Sequence, residues 1–322
     1  MTSWNKTRAG HTAAIFLISL LTWQAASAGL LRDHIKERRA MQEQSEELDD
    51  EAEDSGSAPS PAGARVMRDV AYGNDARQRF DVYLPAQAKE APVIFMVHGG
   101  GWKRGDKAMR SVVDNKVARW VPAGFIVISV NYRLLPDAEP IEQARDVARA
   151  LTAAQRQVSS WGGAPGKFIL IGHSAGAHLV SLLAASPAMY AESGAMRWLG
   201  TVSLDSAAFD VAQVMQGRHL RLYDRAFGRD EAYWKAASPF HALTVAGSPF
   251  LAVCSTRRSD SCPQADAFVT KASSLGMRAS VLKEDLSHRE INQRLGEAGN
   301  YTQAVEAFMR GLDPQVAARL GG

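Results

Sequence analysis

Two short apolar runs that each stop at a glycine turn constrain this chain more than any other feature. Residues 93–97 (VIFMV) run into His98-Gly99-Gly100-Gly101-Trp102, and residues 168–171 (FILI) run into Gly172-His173-Ser174-Ala175-Gly176. Uninterrupted apolar runs of this length, rich in β-branched and aromatic residues, fit strands buried on both faces. Further strands are predicted over residues 80–84, 125–130, 199–204, 249–253 and 279–282. Between them the spacing turns helical. Ile141, Ala144, Val147, Ala148 and Leu151 predict a helix over 140–159, and further helices are expected over 178–185 and 300–310. Strands alternating with helices predict an α/β fold, a mostly parallel sheet covered on both faces. In such sheets the chemistry gathers at the carboxyl ends of the strands, which is where both glycine turns fall.

The second turn is G-x-S-x-G between a strand and a helix. A strained turn of that kind lifts the serine hydroxyl clear of the sheet, and the flanking small residues let strand and helix approach closely. The first turn carries three consecutive glycines, whose N–H groups can point into a cavity unobstructed, as a developing oxyanion needs. A phosphate-cradling loop would end in Gly-Lys-Ser/Thr, which is absent here. A serine nucleophile requires a base oriented by an acid. Of eight histidines, His288 follows the last predicted strand across a short loop, where it can reach over the sheet's end. Asp260 lies in the loop after residues 249–253 and is the expected acid, in the order Ser174, Asp260, His288. Asp205, at the end of the preceding strand, is the alternative. A plain surface ion pair is the other reading of Asp260, because Arg257 and Arg258 sit beside it.

The 322 residues carry 37 Lys and Arg against 34 Asp and Glu, a bland net charge of +3 that points to neither nucleic acid nor an acidic partner. The total conceals a partition. Residues 1–28 carry +2, residues 29–64 carry −6 and residues 65–322 carry +7. Lys6 and Arg8, a short apolar run over 13–23 and Ala26-x-Ala28 have the three parts of a signal peptide, so export with cleavage after Ala28 is expected. The run is too short to span a membrane, and no span is expected after cleavage. Residues 29–64, acidic and then rich in Pro, Ser and Gly, read as a disordered tether. Residues 65–322 are long enough for one domain.

HGGGW at 98–102, GHSAGAHL at 172–179, NYRL at 131–134 and SHREIN at 287–292 together resemble the α/β-hydrolase superfamily. Within it they resemble the HGGG-bearing esterases of the hormone-sensitive-lipase, feruloyl-esterase-like and kynurenine-formamidase groups. The resemblance spans about residues 65–312. It implies a serine hydrolase acting on small carboxylic esters, with amides of the arylformamidase kind or a non-catalytic binding module of the same fold as the alternatives, and with Ser174 as nucleophile, His288 as base and Asp260 as acid. Gly100, Gly101 and Ala175 are the implied oxyanion donors, with no metal or organic cofactor. The acid loop, Cys254 to Cys262, departs from the Gly-x-x-Asp turn usual in these relatives. Cys254 and Cys262 flank Asp260, and in an exported chain a disulfide between them is expected to fix that loop. An insertion between the sixth and seventh core strands carries Phe209, Met215, Tyr223, Phe227, Tyr233 and Trp234, candidates for a substrate pocket or for ordinary packing. Arg218, Arg221, Arg225 and Arg229 are spaced as one basic helix face.

Overall fold

The computed structural model describes Met1 and residues 65–321, so the signal and tether readings of the N-terminal stretch lie outside the described residues. The strands are β1 (Arg65–Ala71), β2 (Arg79–Leu84), β3 (Ala91–Val97), β4 (Ile126–Val130), β5 (Gly163–His173), β6 (Gly200–Leu204), β7 (Phe250–Ser255) and β8 (Ala279–Glu284). They form one sheet in the order β1-β2-β4-β3-β5-β6-β7-β8, in which β2 alone runs against its neighbours. The longer helices are α1 (Arg110–Trp120), α2 (Pro140–Gln157), α3 (Ala175–Ala185), α9 (Ser261–Ser274) and α11 (Asn300–Arg310). Shorter ones are α4 (Pro187–Ser193), α5 (Val211–Gln216), α6 (Arg221–Phe227), α7 (Glu231–Ala236), α8 (Pro239–Ala242), α10 (His288–Gln293) and α12 (Pro314–Arg319). None of the described helices is long and apolar enough to cross a membrane.

The alternation of side chains along each strand sorts the apolar runs into two cores. Val93, Phe95, Val97, Ile128, Phe168 and Leu170 face α2 and α3. Ile94, Met96, Val127, Ile169, Ile171 and Val202 face the other way, onto Val113, Val117 and Trp120 of α1 and Val305 and Met309 of α11. Every residue of β3 is buried, which is why this strand reads as an unbroken apolar run rather than an alternating one.

Register then assembles the strand ends. Val97 pairs Gly172, His173 pairs Leu204 and Leu204 pairs Val253. The residues one step beyond these pairs, His98, Ser174, Asp205 and Cys254, therefore share one edge of the sheet. Two backbone bonds secure the row: Ser174 N–H donates to Leu204 O at 2.9 Å and Asp205 N–H to Val253 O at 2.8 Å. The 206–249 insertion folds as the four short helices α5 to α8. Of the four arginines spaced as a helix face, α6 contains only Arg221 and Arg225, both exposed, so no single basic helix face forms.

Candidate active site

Ser174 sits between β5 and α3 at φ 54° and ψ −117°, a conformation that L-residues adopt only when the surroundings force it. The flanking glycines do the forcing. A Cβ on Gly176 would lie 2.3 Å from Val97 O and 2.4 Å from His98 O, and one on Gly172 would lie 2.3 Å from Gly176 O. Only hydrogen at both positions lets α3 lean into the sheet closely enough to hold the serine out.

The glycine turn after β3 lies over that serine: a Cβ on Gly99 would come within 3.0 Å of Ser174 Cβ. Gly100, Gly101 and Trp102 all have positive φ, at 107°, 57° and 60°. The turn is tied from behind. His98 Nδ1–H donates to Gly99 O at 2.7 Å, and Tyr132, of the NYRL stretch, donates its hydroxyl to His98 O at 3.0 Å while stacking on the His98 ring. Gln143 Nε2 and Leu135 N–H both donate to Trp102 O, at 2.8 and 3.0 Å. Trp102 Nε1–H donates to His178 Nδ1 at 3.2 Å, and His178 Nε2–H donates to Ala237 O at 2.8 Å. Burial pushes His98 and His178 down to about 4, so both are neutral and these hydrogen-bond directions hold at neutral pH. Ala175 is the first residue of α3, and its N–H has no preceding helical carbonyl to bond.

His288 opens α10 immediately after Ser287, which caps the helix: Glu290 N–H donates to Ser287 Oγ and Ser287 N–H donates to Glu290 Oε2. Two further contacts fix His288. His173 Nε2 bonds His288 O at 3.0 Å, and the two rings lie 4.5 Å apart. His288 is 2% exposed, and its buried Nε2 has no partner among the described residues. The other ring nitrogen, Nδ1, lies 2.6 Å from Asp205 Oδ2.

The structure thus seats Asp205, not the expected Asp260, on His288. Asp205 follows β6 directly, at φ 54°, and is fully buried. Ser255 N–H donates to its Oδ1 at 2.8 Å, Ser261 Oγ–H donates to the same oxygen, and Arg258 Nη1 donates to Oδ2 at 2.7 Å. Burial alone would push this carboxyl up. The Arg258 charge and the bonds from His288 and Ser261 outweigh it and hold Asp205 well below the usual carboxylate range. Asp260 caps the start of α9 by position only, and its half-exposed carboxylate meets Nε and Nη2 of Arg258 at 3.1 and 3.2 Å. The physical reason is the guanidinium between them, which takes Asp205 on one edge and Asp260 on another. The signal for Asp205 was its place directly after an apolar run, and the signal against Asp260 was the pair of arginines preceding it.

Cys254 and Cys262 are joined by a disulfide that closes the segment carrying Ser255, Arg258 and Ser261. A cross-link over so short a loop contributes about 2.5 kcal/mol through the unfolded state. Cys262→Ser should lower the thermal midpoint accordingly, and adding reductant should lower the wild-type midpoint but not that of Cys262→Ser. Equal midpoints for wild type with and without reductant would contradict a stabilising bridge.

His219 and His241 pair with Asp224 and Asp210 on the insertion, each with one exposed partner. The aromatic residues of the insertion divide. Tyr223 and Phe227 of α6 close on Trp102, with ring centroids 5.6 and 4.9 Å away, whereas Phe209 packs on Phe250 and Phe268 in the core.

The family model BD-FAE matches residues 80–216, which carry both glycine turns and Asp205. The isoprenylcysteine alpha-carbonyl methylesterase ICME of Arabidopsis thaliana is 32% identical over 118 residues, 36% of this chain and 27% of its own length. Esterase LipC of Mycobacterium tuberculosis (strain ATCC 25618 / H37Rv) is 28% identical over 205 residues, 59% of this chain and 50% of its own length. The chain thus spans half or less of the length of these relatives. Among solved structures, esterase B from Lactobacillus Rhamnosis (HN001) superposes with a TM-score of 0.68 at 18% identity, covering 89% of this chain and 96% of that one. A sheet with this strand order, with a strained serine at the turn out of its fifth strand, gives this chain the α/β-hydrolase fold of that esterase structure.

Proposed function

We propose that the chain is an exported serine hydrolase that cleaves carboxylic esters through an acyl-enzyme on Ser174. The observation that carries this reading is the line from Asp205 Oδ2 to His288 Nδ1 at 2.6 Å, with His288 Nε2 left unpartnered at the strand edge that holds Ser174. An imidazole held this way donates from Nδ1 and keeps the lone pair on Nε2 for a proton. His288 Nε2 takes the Ser174 proton as Oγ attacks the ester carbonyl carbon. The carbonyl oxygen, now an oxyanion, is met by the N–H groups of Gly100, Gly101 and Ala175. The tetrahedral species collapses, the C–O bond to the alcohol breaks, and the alcohol oxygen leaves with the proton from Nε2. Water then attacks the acyl carbon with His288 again as base, releasing the acid and Ser174.

The activity is supported by the names of the matched relatives, methylesterase and esterase, and by esterase neighbours in fold. Export is supported by the signal-like pattern of residues 1–28 and by the Cys254–Cys262 disulfide, a bond that persists in oxidising compartments. A panel of 4-nitrophenyl esters, feruloyl esters, acetylated sugars and N-formyl anilides tests the substrate class. Turnover of one or more esters, well above that of the anilides, is expected; turnover confined to the anilides would overturn the ester assignment.

A further inference from the structure

The acid of this site directly follows β6, yet the groups that bind its carboxylate, His288 apart, come from the last residue of β7 and the segment that follows it. Ser255, Arg258 and Ser261 lie within the disulfide-closed loop, and Arg258 is the one charged member. Its side chain is 10% exposed. One nitrogen, Nη1, donates to Asp205 Oδ2 at 2.7 Å and to the Asp205 backbone carbonyl at 3.2 Å, and the same nitrogen stands 2.8 Å from His288 Nδ1. Nε and Nη2 hold Asp260, and Tyr223 of α6 lies near enough to feel the guanidinium charge.

This geometry resolves a conflict. A guanidinium nitrogen carries only donors, so Nδ1 of His288 cannot both accept from Arg258 and donate to Asp205. Were Arg258 to bond Nδ1, the imidazole would carry its proton on Nε2, the nitrogen that must be bare to act as base. The two Nη1 hydrogens have two oxygens of Asp205 within reach, one on the side chain and one on the backbone. With both hydrogens so taken, Nδ1–H is free to donate to Oδ2, the nearest acceptor at 2.6 Å. We propose that Arg258 is a positioning residue for the Asp205–His288 pair. It clamps Asp205 at two oxygens so that Oδ2 faces Nδ1, and it serves as the buried counter-charge of the displaced acid. The assignment rests on the serine-hydrolase reading and deepens it.

Other titratable groups feel the pair from the packed elements: His173 at the end of β5, with Lys116 of α1 beside it, Tyr301 of α11, with Glu284 of β8 beside it, and Tyr223 of α6. None of these bonds the Asp205 carboxylate. Removing Arg258 takes away the largest of the interactions that oppose the desolvation of this fully buried carboxylate. The acid limb of the activity profile, which belongs to the Asp205–His288 pair as a unit, then moves to higher pH.

The test is kcat/KM against pH, with thermal midpoints, for wild type, Arg258→Met and Arg258→Lys. Arg258→Met should lose roughly tenfold or more at neutral pH, with its acid limb displaced upward by about one pH unit or more. Arg258→Lys restores a point charge but not the planar fork, so its limb should return toward wild type while kcat stays about tenfold low. A uniform loss with an unmoved limb in Arg258→Met would reduce Arg258 to a structural role and overturn the assignment. Should Arg258→Met fail to fold, Arg258→Lys decides alone, and wild-type kcat in that variant would overturn the clamp. Absence of Ser174-dependent turnover in wild type would strike the hydrolase reading itself, whereas an unmoved limb in an active Arg258→Met strikes only Arg258.

Discussion

Asp205→Asn is expected to lower kcat about 10⁴-fold, the size of loss seen when a triad acid becomes an amide that holds the base in the wrong tautomer. The reason here is specific to the seat of the carboxylate. Oδ1 accepts from Ser255 N–H and Ser261 Oγ–H, and Oδ2 accepts from Arg258 and His288. Whichever way an asparagine is turned, its NH2 group faces two donors. Facing His288, it offers a donor to Nδ1 and draws the imidazole proton onto Nε2. Facing Ser255, it leaves a buried backbone N–H without an acceptor, which costs about 1–3 kcal/mol. Asp260→Asn removes only a carboxylate that is 43% exposed and pairs with the outer edge of Arg258. Its kcat should stay within a few-fold of wild type. Steady-state kinetics of the two variants side by side check this. A larger loss in Asp260→Asn than in Asp205→Asn would return the acid to the β7 loop.

Ser174→Ala is expected to remove hydrolysis by about 10⁴- to 10⁶-fold, since without the nucleophile only binding and the oxyanion donors remain. Folding should not confuse the result. The strained backbone at φ 54° is imposed by the close approach of α3 to β3 and β5, through Gly172 and Gly176, not by the serine side chain. Alanine at the same position keeps the same turn, so the thermal midpoint should stay close to that of wild type. A folded Ser174→Ala that still hydrolyses esters at the wild-type rate would remove the serine from the chemistry.

Much of the architecture was legible because it rests on long, simple patterns. β3 is apolar end to end and β4 is so but for Ser129, so their positions come out within two residues, and the closing helix over 300–310 coincides with α11. β5 begins earlier than expected, at Gly163, because its first residues, Gly163-Ala164-Pro165-Gly166, have the composition of a turn. α1 went unseen because its buried face includes Ser111 and Lys116 among the apolar residues, which blurs the helical spacing. Lys116 is fully buried with its ammonium bonded to backbone carbonyls, a solution that no local pattern announces. Ser174, His288 and the glycine turn follow strands in sequence as in space, so their places in the fold could be read directly. The acid could not. Asp205 and Asp260 both follow strands at the same edge of the sheet, and only the packing of Arg258 between them decides which carboxylate meets His288.

The most direct test of the account is to map the adduct left by a fluorophosphonate. Wild type, treated, digested and weighed, should carry one phosphonyl group on the peptide that contains Ser174, and Ser174→Ala treated alongside should carry none. A phosphonyl group on another residue, or equal labelling of the two proteins, would contradict the assignment of Ser174 as the nucleophile.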